Sequence, residues 1–281
     1  MGQHTDVGNA RFASSGSASK PAWDHSAHED FYRYYENASL SENALRRFAA
    51  ICDSVTRVFQ AYNSKPCLDV ADVGCGAGTG TQMWAKRGHR THGVDINADF
   101  VELARARAGE AGLDIRFELG SATELPWSDK SMDVCVVPEL LEHVADWEAC
   151  LNEAARVLRS PGVLYLSTSN RLCPVQQEFD LPLYSWYPRF LKHHFERLAV
   201  TTRPDLVSHA TYPAVNWFSF YHLREYLAPL GFTCLDRFDL MDVTNKGLLK
   251  RAVRIAIRSS RVLRFIGHVG TPYTVLVGIK N

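Results

Sequence analysis

The chain has 281 residues, 46% of them hydrophobic and 22% charged, which fits one folded domain, or one domain with insertions, and excludes a low-complexity or fibrous chain. The formal net charge of +0 hides a division. No acidic residue follows Asp242, whereas eight basic residues do (Lys246, Lys250, Arg251, Arg254, Arg258, Arg261, Arg264 and Lys280), so an acidic body of net −8 carries a basic final segment.

No apolar run reaches the roughly 18 residues that span a bilayer, and no signal-peptide pattern opens the chain. Seven cysteines are scattered without a CxxC pair, which points away from a disulfide framework or zinc cluster. A reducing, cytoplasmic compartment is expected.

Residues 1–22 are rich in Ser, Ala and Gly and are expected to be a disordered tail. Residues 23–65 read as an N-terminal helical cap: an aromatic run (Phe31, Tyr32, Tyr34, Tyr35), then a helix over 42–62 started by Ser39 or Ser41. Its apolar face is Leu45, Phe48, Ile51, Val55 and Phe59. A strand from Leu68 then breaks into Gly74, Gly76, Gly78 and Gly80, and a helical pattern over 81–87 follows.

Strands are expected at 91–96, 115–119, 132–137 and 163–167, with helices at 98–111 and 146–158 and a turn at 160–162. This βα alternation predicts a parallel sheet with helices on both faces. The alternation stops after Ser169. Residues 170–217 look irregular and dense in aromatics and histidine (Phe179, Tyr184, Trp186, Tyr187, Phe190, His193, His194, Phe195, His209, Tyr212), as a lid or a structural cap would be. A helix at 218–230 and strands at 232–240 and 272–279 complete the chain. The class predicted is α/β and Rossmann-like, with seven mostly parallel strands and a reversed last strand, in a single domain over 23–281.

The glycine spacing separates two kinds of nucleotide site. A dinucleotide fingerprint, G-x-G-x-x-G, fails from Gly74, where Thr79 stands last, and from Gly76, where Thr81 does. The pattern present is Asp-x-Gly-x-Gly-x-Gly, on a loop where glycine lets a ligand approach the main chain. Asp95, 21 residues after Gly74, ends the next strand, where a carboxylate accepts hydrogen bonds from both ribose hydroxyls.

Asp72-Val-Gly-Cys-Gly-Ala-Gly, Gly93-Val-Asp-Ile and Gly120-Ser-Ala-Thr-Glu-Leu-Pro-Trp resemble motifs of the class I S-adenosylmethionine-dependent methyltransferases, over about residues 67–232. The resemblance implies S-adenosyl-L-methionine as cofactor. Its contacts would come from Asp72, Gly74, Cys75, Gly76, Gly78, Asp95, Ile96, Ser121, Ala122 and Pro138, with Asp95 on the ribose and 120–127 along the adenine. Ser121 stands where the family often has Asp, which leaves the backbone of Ala122 for the adenine amino group. Pro138 and Glu139 would end the fourth strand beside the sulfonium.

A helical Pro138–Val144 stretch would put Glu139, Glu142 and His143 on one face. Three readings stay open. His143 is the general base, oriented by Glu142 or Glu139. Alternatively Glu139, Glu142 and His143 hold a divalent cation such as Mg²⁺, with His209 or His222 as further ligands. Or the stretch is a packing element. Its spacing resembles the ubiquinone-pathway O-methyltransferases and the small-RNA 2′-O-methyltransferases, where such a cluster looks like a magnesium site.

The expected reaction is O-methylation of a small quinone-like, lipid-linked or secondary-metabolite acceptor, with nitrogen or carbon acceptors open. The rivals are an RNA 2′-O-methyltransferase, which needs a basic groove, and a non-catalytic binding protein on the same fold. Tyr32 to Tyr35 would close the donor site, with Arg33 a candidate partner for the methionine carboxylate. The basic residues of 246–266 recur at helical spacing within a basic amphipathic segment, 246–268. Such a segment lies on an anionic membrane or packs on the acidic body. The net −8 of the remainder argues against a nucleic-acid partner.

Overall fold

The computed structural model describes residues 37–176, 179–207, 214, 216–241 and 247–281. The expected disordered tail, the aromatic run with Arg33, and His209 and Tyr212 lie outside the described residues.

Helix α1 (Glu42–Gln60) starts at Ser41, whose hydroxyl accepts from the Ala44 N–H, and buries Ile51, Cys52, Val55, Val58 and Phe59. The βα units follow as β1 (Asp69–Val73), α2 (Thr79–Ala85), β2 (Arg90–Asp95), α3 (Ala98–Glu110), β3 (Ile115–Leu119), β4 (Met132–Pro138), α4 (Trp147–Val157) and β5 (Leu158–Ser169). Strand β1 is buried throughout, as a central parallel strand covered on both faces must be.

The described residues form a seven-stranded sheet in the order β3-β2-β1-β4-β5-β7-β6, where β6 is Phe232–Asp236 and β7 is Tyr273–Lys280. Neighbours from β3 to β5 pair in parallel, and β7 runs antiparallel to both β5 and β6. This is the predicted class. The order reverses between β1 and β4, the switch point at which open α/β sheets bind ligands.

Alternate side chains divide between two cores. Val70, Val134, Val136, Val163 and Tyr165 pack with Ile51, Val55, Phe59 and Trp84 on one face. Ala71, Val73, Cys135, Val137, Leu164 and Leu166 pack with Leu151, Leu223 and Leu227 on the other.

Four expectations are corrected. The turn at 160–162 lies inside the long β5, and the strand expected over 232–240 ends at Asp236. Asp236 instead caps the short helix α7 (Arg237–Leu240) in a reciprocal capping box with Asp239. The region 170–217 is not irregular throughout: it contains helix α5 (Arg189–Thr201). Helix α6 (Phe220–Leu227), capped by Ser219, follows it. The basic segment breaks at Ser260 into α8 (Leu248–Ser259) and α9 (Arg261–Val269), because the Ser260 hydroxyl caps the second helix at the Leu263 N–H.

Candidate active site

The loop after β1 is folded by its glycines. Gly74, Gly76 and Gly78 have φ of 72°, 50° and 76°, a region closed to most side chains. The Gly74 and Cys75 N–H groups donate to the Val94 carbonyl at 2.8 and 3.1 Å, which ties the loop to the end of β2. A Cβ on Gly78 would stand 2.8 Å from Ala104 Cβ and 2.9 Å from the Phe117 ring, whereas one on Gly76 would meet nothing within 4 Å. Gly78 is therefore needed for packing beneath the loop, and Gly76 faces open space. The Cys75 side chain turns inward with Val101, Ala104 and Phe117, so toward a ligand it offers backbone.

Asp95 is half-buried at the end of β2. One carboxylate oxygen accepts from the Gly76 N–H at 2.8 Å and the other from the Asn97 N–H at 2.9 Å. Burial pushes its pKa up, against the pull of these backbone donors. The same residue thus shapes the glycine loop and presents its carboxylate at the end of β2. Ile96, next to it, is exposed.

Asp72 is buried and accepts from the Thr81 hydroxyl at 2.7 Å, bracing the first turn of α2. Burial raises its pKa to about 6, the Thr81 bond opposes this, and the nearby Asp95 charge adds to it. The Thr79 hydroxyl, also on this turn, is buried with no hydrogen-bond partner among the described residues.

After β3, the Gly120 N–H donates to the Asp95 carbonyl at 2.9 Å, which brings 120–122 beside Asp95. The Ser121 hydroxyl is engaged with Thr123, at 2.8 Å from its hydroxyl and 3.2 Å from its N–H. Ala122 is partly buried against the core.

At the end of β4, Pro138 pairs with Ser167 of β5. The expected helix over 138–144 is absent. Glu139 takes a positive φ of 51°, and the chain closes a turn from the Leu140 carbonyl to the His143 N–H at 2.9 Å. This disperses the three residues expected on one face. Glu139 pairs with Arg47 of α1, while Glu142 is buried and accepts from the Thr168 hydroxyl of β5 at 2.8 Å. His143 is half-buried on the turn. The expected Glu139/Glu142/His143 metal cluster is therefore a correction: among the described residues no group of three His, Cys, Asp or Glu side chains is placed to hold a metal ion. His222, a suggested further ligand, is stacked on Phe218 and edge-on to Trp147.

Several residues at this edge escaped sequence reasoning. Arg47 meets Glu139 across 92 residues of chain. Leu140 lies against Gly74, where a Cβ would come within 2.9 Å of it. Asn216 donates through its side-chain amide to the Leu141 and Val144 carbonyls at 3.3 and 2.7 Å, and its N–H donates to the Glu142 carbonyl at 3.1 Å. It holds the turn that carries His143. No local pattern marks any of these residues, because each contact joins distant parts of the chain.

The 170–217 aromatics pack largely on one another. Phe179 stacks on Tyr184 at 4.1 Å, Tyr184 meets Trp217 edge-on, and Lys192 lies 4.8 Å over the Trp217 ring. Trp186 and Phe190 stay exposed.

A switch-point glycine loop, a carboxylate at the end of β2 and a reversed β7 come together in one sheet, as the resemblance to the class I S-adenosylmethionine-dependent methyltransferases implied. Residues 71–166 match the family model described as methyltransferase domain, and the chain carries that domain. It is 30% identical over 174 residues to a ubiquinone biosynthesis O-methyltransferase of Chelativorans sp., covering 58% of this chain and 66% of that protein. It is 37% identical over 123 residues to a probable S-adenosylmethionine-dependent methyltransferase of Mycolicibacterium smegmatis, covering 44% and 46%. The chain spans about half to two thirds of the length of the curated relatives it matches. The crystal structure of the PH0226 protein from Pyrococcus horikoshii shares the fold, with a TM-score of 0.53 at 16% identity over 89% of this chain and 99% of that one.

Proposed function

We propose that the whole protein transfers a methyl group from S-adenosylmethionine to an oxygen of a small acceptor of quinone-like or lipid-linked type. The observation that carries the reading is Asp95, whose carboxylate is held by the Gly76 and Asn97 N–H groups at the end of β2, beside the switch-point loop. That arrangement fits two vicinal ribose hydroxyls. The open space at Gly76 fits a donor lying along the loop backbone, with Gly74, Cys75, Gly78 and Ile96 around it. The backbone of Ser121 and Ala122 would serve the adenine, and Pro138 the sulfonium end. Asp72 would act through Thr81, by holding the loop.

When bound, the donor supplies a methyl already activated by its sulfonium. The chain must then orient the acceptor, exclude water and accept a proton. His143 is the proposed acceptor of that proton, on a turn fixed by Asn216 and by the Glu142–Thr168 hydrogen bond. The Glu139 carboxylate is engaged by Arg47 of α1. The names of the curated relatives support an oxygen acceptor of the ubiquinone-precursor kind.

Calorimetry with S-adenosylhomocysteine tests the donor side. Losing two charge-assisted hydrogen bonds at Asp95→Ala should weaken binding by about 100-fold. Unchanged affinity refutes the donor assignment. On an acceptor found by product mass, His143→Ala should lower kcat by about 100-fold or more at unchanged donor affinity. Donor binding with no product from any acceptor would favour a binding protein instead.

A further inference from the structure

A surface helix ordinarily turns its apolar arc to the core. Helices α8 and α9, between β6 and β7, do the reverse. Their polar arcs face inward onto α7 and the end of β6. Arg254 donates to the Phe238 and Asp239 carbonyls at 3.4 and 3.3 Å, and Arg258 lies 3.4 Å from Asp239 Oδ1. Arg264 donates to the buried Asp236 at 2.6 Å and also pairs with Asp239. His268 Nε2 stands 2.9 Å from the same Asp236 oxygen. The basic stripe legible in the sequence is thus partly consumed by two carboxylates of the body.

The apolar arcs are left outward. Leu248, Leu249, Ile255, Val262 and Ile266 are 82, 78, 64, 67 and 57% exposed. An apolar face of this kind marks a contact surface. Its position follows from topology: β6 runs with the parallel strands and β7 against them, so the segment joining them lies at the edge that carries Asp95 and His143. Asn170, just past β5, fastens it there by donating to the His268 and Thr271 carbonyls at 2.8 and 2.7 Å.

Charge selects the occupant. Arg251 and Arg261 are exposed on these helices, and no acidic residue occurs from 243 to 281. Two copies paired face to face would oppose arginines with no carboxylate on either segment to answer them. An anionic bilayer answers both parts, since acyl chains take the apolar arc and headgroups take the guanidinium groups. We propose that α8 and α9 dock this protein on an anionic lipid surface with the donor-site edge turned toward the bilayer. The docking stands by itself; its use, presenting a lipid-borne acceptor, rests on the proposed activity.

The full chain is sedimented with vesicles of phosphatidylcholine alone or with phosphatidylglycerol. Binding should favour the anionic vesicles, and Leu249→Glu/Val262→Glu should weaken it by about tenfold or more, since two charges replace inserted apolar side chains. Arg251→Gln/Arg261→Gln leaves the apolar arc whole and should remove only the anionic preference. S-adenosylhomocysteine affinity and circular dichroism, measured on the same samples, should match wild type, which separates failure of docking from failure of the donor site or the fold. No sedimentation of wild type, equal sedimentation on both vesicle types, undiminished binding of the glutamate variant, or a dimer that this variant abolishes would each overturn the proposal.

Discussion

Replacing Asp72 by Asn probes the buried carboxylate behind the glycine loop. The side chain is 3% exposed, and its pKa is pushed up to about 6 from 3.8. A gap of about two units corresponds to about 3 kcal/mol. The sign follows from proton binding. The folded protein holds the Asp72 proton more tightly than the unfolded chain, so this contribution favours folding fully below about pH 4 and is lost as pH rises through about 6. About 2 kcal/mol of it falls between about pH 4.5 and 7.5. Asn cannot ionise, yet its carbonyl can still accept from the Thr81 hydroxyl. Urea unfolding of both proteins across that window should show wild-type stability falling by about 2 kcal/mol more than that of Asp72→Asn. Parallel pH profiles would refute the burial argument.

Two further substitutions separate packing from positioning. Gly76→Ala meets only backbone strain, about 1 kcal/mol, whereas Gly78→Ala adds overlap with Ala104 and Phe117 and should cost about 1–3 kcal/mol more by denaturant unfolding. Asn216→Ala releases the Leu141 and Val144 carbonyls and should lower kcat by about tenfold while S-adenosylhomocysteine affinity stays unchanged. A parallel loss of donor affinity would show that Asn216 supports the whole edge.

The glycine loop and the placing of Asp95 beside it were legible in the sequence because their geometry is local. The glycines must adopt conformations that few other residues reach, and their spacing lies within one strand-turn-helix unit. Asp95 sits at a strand end that hydrophobic alternation alone locates. The seven-stranded α/β class was legible for the same reason, since strand and helix periods are short-range properties. The conformation of the 138–144 stretch was not. One backbone torsion at Glu139 turned an expected helical face into a turn, and the partners of its residues, Arg47, Thr168 and Asn216, come from α1, β5 and the end of the insertion. The basic segment shows the same division. Sequence determined that α8 and α9 are amphipathic, because charge and apolar character recur at helical spacing. Only the tertiary structure decided which arc faces the body, because that depends on the buried Asp236 and the half-buried Asp239 standing where β6 ends, carboxylates that draw the arginines inward and leave the apolar arc outside.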